Sequence, residues 1–174
     1  FLVNFAKKRN LEVIQDKALN VLIKKEATKG YENFSPLILQ GHMDMVWEKN
    51  KNTDFDFENC GIELAVKDGF LTANGTTLGA DNGIAVAIAL AILDSDDIAH
   101  PALEVILTTD EEEGMTGVNN LDFSLFSGKA LINLDTEKYG QVYVSSAGGA
   151  RIENEFNLIK KDCENDDTVF SIEV

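Results

Sequence analysis

Pro36-Leu37-Ile38-Leu39-Gln40-Gly41-His42-Met43-Asp44 joins an unbroken apolar run to a histidine and a carboxylate two residues apart. Leu37, Ile38 and Leu39 do not alternate with polar residues, the pattern of a strand covered on both faces, so residues 36–46 are predicted as a strand inside an α/β sheet. Strand side chains repeat every second residue, which puts His42 and Asp44 on the same side. A carboxylate beside an imidazole fixes its tautomer and leaves the other nitrogen free for a metal. The same pair also serves as a plain strand-end hydrogen bond, and taken alone that reading is preferred.

Apolar and turn signals alternate on either side of this strand in an α/β order. Residues 102–109 and 130–134 read as further strands, and residues 12–24 as a short hairpin or strands. Residues 62–66 and 70–73 flank Asp68-Gly69, a strong hairpin signal. Residues 83–93 are apolar nearly all round and predict a buried helix. Residues 1–6 read as a helix already under way, with Phe1 and Phe5 on one face and no capping residue before them. Beyond Gly140 the text changes, passing through Ser145-Ser146-Ala147-Gly148-Gly149 into a more acidic β-type segment. A boundary near residues 147–151 is predicted, dividing the chain into 1–148 and 149–174. Phe170, Ile172 and Val174 alternate with Ser171 and Glu173 as a strand that runs out, so the chain is read as a piece of a longer protein.

The 174 residues suffice for one main core, and 44% hydrophobic content is ordinary for a globular protein. No apolar run reaches the roughly 20 residues of a membrane span. The net charge of −15, from 30 acidic against 15 basic residues, repels phosphate backbones and argues against nucleic-acid binding. Cations or cationic groups are the better partners. Cys60 and Cys163 make no disulfide framework, which fits a reducing cytosol. They are read as ordinary thiols, Trp47 as a packing residue, and residues 160–167 as a solvated charged loop.

Three further acidic stretches follow strands or open the helix. Gly79-Ala80-Asp81-Asn82-Gly83 sets a carboxylate at a helix start, a routine cap except that glycines on both sides let the backbone approach a ligand closely. Thr109-Asp110-Glu111-Glu112-Glu113-Gly114 ends a buried strand in four adjacent carboxylates. Asn133-Leu134-Asp135 again places a carboxylate just past an apolar strand. In open α/β sheets such positions converge in the crevice beyond the carboxyl ends of the strands. Imidazole nitrogen with carboxylate oxygen suits zinc and similar cations. Two divalent ions would be neutralised by Asp81, Glu112, Asp135 and one hydroxide, whereas a single ion would leave excess negative charge.

Together the four motifs resemble the cytosolic dinuclear zinc dipeptidases, above all their aminoacyl-histidine (Xaa-His, carnosinase-like) branch, over residues 1–151. The resemblance implies an α/β zinc-peptidase-like catalytic domain with a mixed, largely parallel central sheet flanked by helices, then the first strands of an α+β lid domain. It implies two divalent cations, zinc first and manganese or cobalt as substitutes. His42 and Asp135 would hold one ion, Glu112 the other, and Asp81 would bridge them. Asp44 would clamp the His42 imidazole. Glu111 would be the general base, taking a proton from the bridging water and passing it to the departing amine. A cis peptide after Asp81 is also implied. The substrate would be a dipeptide with a free N-terminus, in the cytoplasm, with a homodimer formed through the lid.

One ligand is absent. The family needs a second terminal histidine, and the other histidine here, His100, precedes the strand whose far end carries Glu112, roughly 25 Å away over eight extended residues. The missing ligand is expected beyond Val174, so the segment alone should be inactive. An N-acyl amino acid deacylase or a tripeptidase would share the same metal core, and a non-catalytic cation-binding module is the alternative of another class.

Overall fold

The apolar run at 37–39 lies in the interior of a five-stranded sheet in the computed structural model, which describes residues 1–136, 138, 140–149, 152 and 155. The chain divides into two compact units, Phe1–Gln141 and Val142–Val174. The predicted terminal strand at residues 170–174, Cys163, the 160–167 loop and most of 149–174 lie outside the described residues.

In the first unit the elements are α1 (Leu2–Lys8), β1 (Glu12–Gln15), β2 (Val21–Lys25), β3 (Leu37–His42), β4 (Leu64–Lys67), β5 (Phe70–Ala73), α2 (Ala80–Asp94), β6 (Leu103–Thr108), α3 (Thr116–Asn119) and β7 (Ala130–Asn133). The sheet order is β1-β2-β6-β3-β7. β1 with β2 and β2 with β6 run antiparallel, while β6 with β3 and β3 with β7 run parallel. The mixed sheet is as expected, with its parallel half formed by the three strands that lead to the acidic stretches. β4 and β5 form a separate hairpin around Asp68-Gly69, both residues at positive φ.

Strand alternation sorts the core into two layers. Val21, Ile23, Leu39, Val105 and Leu107 face α1 and α2, where Ala6, Ala89 and Leu93 complete the main cluster. Leu22, Ile38 and Ile106 face the other way, with Leu121, Leu125 and Phe126 packed against them. No helix among the described residues is long and apolar enough to cross a membrane.

The apolar helix departs from expectation. α2 begins at Ala80, and its buried positions are Asn82, Ala85, Ala89 and Leu93, a single stripe against the sheet. Ile84 and Ile88 on its outer side are 57% and 40% exposed. All-round apolarity therefore did not mean all-round burial, because no other described element covers the outer side. Trp47 is exposed and stacks edge-on against Phe57, and Cys60 is an exposed free thiol.

Candidate metal centre

Parallel pairing brings the carboxyl ends of three strands to one edge. His42 ends β3 level with Thr108 at the end of β6, and Gln40 pairs with Asn133 at the end of β7. The segments that follow, residues 43–44, 109–113 and 134–135, therefore leave the sheet side by side. α2 adds Asp81 from the helix-covered side, through two residues of non-helical backbone, Asp81 and Asn82, joined by the cis peptide that the resemblance implied.

The buried His42 ring is the hub. Its Nε2 lies 2.9 Å from Asp81 Oδ1, 3.9 Å from Asp135 Oδ2 and 4.0 Å from Glu111 Oε2. Two sets of ligand-type atoms share this ring, one with Asp81 and Asp135 and one with Glu111 and Glu112, all within 4.8 Å of one another in each set. The structure thus brings together His42, Asp81, Glu111, Glu112 and Asp135. His100 stays apart, buried before β6, with its Nδ1 2.7 Å from the Pro101 carbonyl and its backbone tied to Thr28.

Asp44 reaches the ring differently from the expected carboxylate clamp. β3 stops at His42, so the chain turns, and the Asp44 carbonyl oxygen lies 3.0 Å from His42 Nδ1. A carbonyl can only accept, so Nδ1 carries the hydrogen and Nε2 is the nitrogen left to face Asp81. The Asp44 carboxylate has two roles. Its Oδ2 accepts from the Glu112 backbone N–H at 3.1 Å, holding the acidic loop. Its Oδ1, buried and without a hydrogen-bond partner, lies 3.4 Å from Nδ1.

Electrostatics follow from this crowding. Burial opposes charging the His42 ring, yet the Asp81 hydrogen bond and the nearby Asp135, Asp44 and Glu111 carboxylates outweigh it and raise its pKa above the ordinary value. Burial, together with Asp135, Glu112 and Asp44, raises the Glu111 carboxyl against the opposing pull of His42. Asp44 is also penalised by burial, but the backbone N–H groups of Glu112 and Glu111 bring its pKa below the usual carboxylate value. Without a cation, Nε2 needs a proton to meet the Asp81 oxygen. A divalent ion would satisfy the same atoms, since zinc ligands sit about 2.0–2.2 Å from the metal. The donor set, hard oxygen with one imidazole nitrogen, fits such an ion.

Two buried asparagines, to which the sequence reading gave no role, hold these loops. Asn20 Nδ2 donates to the Gly117 carbonyl at 2.8 Å, and its Oδ1 accepts from Thr109 N–H at 3.2 Å, pinning both ends of the acidic loop. A Cβ on Gly117 would come within 2.2 Å of the Thr109 carbonyl, so this closure requires glycine. Asn82 connects the ends of β3 and β7. An asparagine near a turn reads as a turn former, and of the two only Asn82 sits within one of the motifs.

The chain is 42% identical over 158 residues to the cytosol non-specific dipeptidase of Escherichia coli (strain K12), covering 91% of this chain and 33% of that protein. Among solved structures it resembles the aminoacylhistidine dipeptidase of Vibrio alginolyticus, with a TM-score of 0.77 and 46% identity over 80% of this chain and 28% of that one. It also resembles the aminopeptidase PepT of Bacillus cereus, with a TM-score of 0.62 and 27% identity over 79% of this chain and 37% of that one. The chain thus spans about a third of the length of these proteins. Residues 38–148, which contain all four motifs, match peptidase family M20/M25/M40, and the chain belongs to that family.

Proposed function

We propose that this chain is the part of a metal-dependent dipeptidase that carries most of its metal ligands and its general base. The observation that carries the reading is the convergence of one imidazole and four carboxylates, from four separated stretches, on the carboxyl edge of parallel strands. In this reading His42, Asp81 and Asp135 would hold one divalent ion, and Glu112 with Asp81 would contribute to a second, zinc being the ion the donors favour and manganese or cobalt the alternatives. Bound there, the ions would supply Lewis acidity toward the scissile carbonyl and the attacking water.

The chain's own groups handle the protons. Glu111 Oε2 accepts a proton from the attacking water and delivers it to the departing amine, and its raised pKa suits both steps. Asp44 holds the His42 ring through its carbonyl and the acidic loop through its carboxylate. The substrate is a dipeptide with a free N-terminus, of the Xaa-His type, hydrolysed in the cytoplasm. The described residues contribute one imidazole to the cluster, and we place the second in the part of the relatives' length that this chain does not span. The 174-residue segment by itself should then be inactive, and the boundary at 148 would mark the start of a lid through which the intact protein dimerises.

Glu111→Gln in the intact protein tests the reading. Turnover of a His-containing dipeptide should fall by about 10²–10⁴-fold, with metal content by elemental analysis unchanged. Parental turnover in that variant would remove Glu111 as the base. Hydrolysis of N-acyl amino acids but not of dipeptides would shift the reading to a deacylase, and calcium without zinc, manganese or cobalt would shift it to a non-catalytic cation-binding module.

A further inference from the structure

We propose that Asn82 is a positioning residue that sets the spacing of three metal ligands, His42, Asp81 and Asp135, before any ion binds. The inference rests on the metal-centre reading above. Asn82 is buried, 3% exposed. Its Oδ1 accepts from the His42 backbone N–H at 3.1 Å, and its Nδ2 donates to the Leu134 carbonyl at 3.0 Å. Asp81 precedes it directly, and Leu134 precedes Asp135. One amide therefore touches the end of β3, the start of α2 and the exit of β7, each within one residue of a ligand.

The surroundings are built for that amide. The Leu134 N–H donates to the Gln40 carbonyl at 2.9 Å, so the strand exit is held from one side by the sheet and from the other by Asn82. A Cβ at Gly41 would lie 2.6 Å from Asn82 Oδ1 and 2.6 Å from Ala85 Cβ, so the strand must be bare where the amide crosses it. The chemistry also suits an amide. The His42 N–H needs an acceptor and the Leu134 carbonyl needs a donor, and asparagine offers them on two separate atoms, which neither a hydroxyl nor an ionised carboxylate does.

The test uses the intact protein with zinc as the probe. In the metal-free Asn82→Ala variant, hydrogen exchange of the His42 backbone amide should accelerate at least about tenfold while the β6 amides keep their rates. An unchanged His42 rate overturns the tether. Zinc affinity, read by chelator competition, should weaken by about 10–100-fold, the usual effect of losing a group that orients a ligand. Ile23→Val, which loosens the core away from the site, should leave zinc affinity within about twofold. Parental affinity in Asn82→Ala overturns the proposal, as does an equal loss in Ile23→Val.

Asn82→Asp keeps the shape and covers the case in which the alanine variant does not fold. Its carboxylate still accepts from His42 but cannot donate to Leu134. The added negative charge alone would tighten zinc binding, so weaker binding in this variant identifies the lost Leu134 bond, and equal or tighter binding overturns that half of the proposal. A parent protein that binds no zinc refutes the metal reading, while the exchange measurement still decides the tether.

Discussion

The two faces of the five-stranded sheet are built from adjacent residues of the same strands, yet they have different fates. On one face Val21, Ile23, Leu39, Val105 and Leu107 are closed over by α1 and α2. On the other, Leu22, Ile38 and Ile106 share their face with Lys24, Gln40, Glu104, Thr108 and Asn133, and Ile38, Gln40, Ile106, Thr108 and Asn133 line a cavity of about 490 Å³ that reaches Glu111 and Asp135. Polar groups there are joined across strands: Asn133 Nδ2 donates to Gln40 Oε1, and Gln40 Nε2 donates to Thr108 Oγ1 at 3.2 Å. Asn133 Oδ1 in turn accepts from the Asp135 N–H at 3.2 Å. The closed face holds the strands together, and the open face passes their alignment to the acidic loops at the carboxyl edge.

The sharpest way to break this contrast is a truncation on the closed face. Ile23 is fully buried in the central antiparallel pairing. Ile23→Ala should cost about 3–4 kcal/mol in urea unfolding, within the range for deleting buried isoleucine atoms and leaving a cavity. A loss below about 1 kcal/mol would show that the closed face is not where stability resides.

A smaller effect is expected from the buried charge under the open face. Glu104 accepts from the backbone N–H groups of Ser127 and Gly128 and from the Ser127 hydroxyl, with Lys24 Nζ 3.9 Å away. Burial alone would raise its pKa, but these donors and Lys24 outweigh burial and hold it below the ordinary value. A carboxyl whose folded pKa is depressed contributes stability in full above its unfolded pKa and loses it as pH falls through the folded one. Glu104→Gln should therefore cost roughly 2 kcal/mol at pH 7, and the gap from the parent should narrow below pH 4.5, the unperturbed value. A gap that stays constant down to pH 3 would show that the cradle does not depend on the charge.

The same contrast explains what could be read from the sequence. The strands were legible because the apolar runs at 37–39, 105–107 and 130–132 and the Asp68-Gly69 turn are local signals. The meeting of His42, Asp81, Glu111, Glu112 and Asp135 was legible because parallel strands share one carboxyl edge. Ile84 and Ile88 were misjudged because hydrophobicity records that a side chain avoids water, and says nothing of which element covers it. The Asp44 carbonyl contact depended on β3 ending at His42, a boundary that residue pattern places only loosely. Asn20 and Asn82 escaped because the partners of an amide are set by tertiary approach, over 89 residues for Asn20 to Thr109 and 52 for Asn82 to Leu134.

The smallest effect is expected on the open face itself. Leu131 lies on β7 at the edge of the sheet, lines the cavity and is 56% exposed. Truncating it removes little area that folding took from water, so Leu131→Ala in this 174-residue chain should change stability by no more than about 0.5 kcal/mol, as at an ordinary surface position. The comparison sharpens when the same substitution is made in a polypeptide of the relatives' full length. A cost of about 2 kcal/mol or more there would mean that additional chain closes this face as α1 and α2 close the other. An equally small cost would mean that the cavity beside Glu111 and Asp135 stays open in the intact protein.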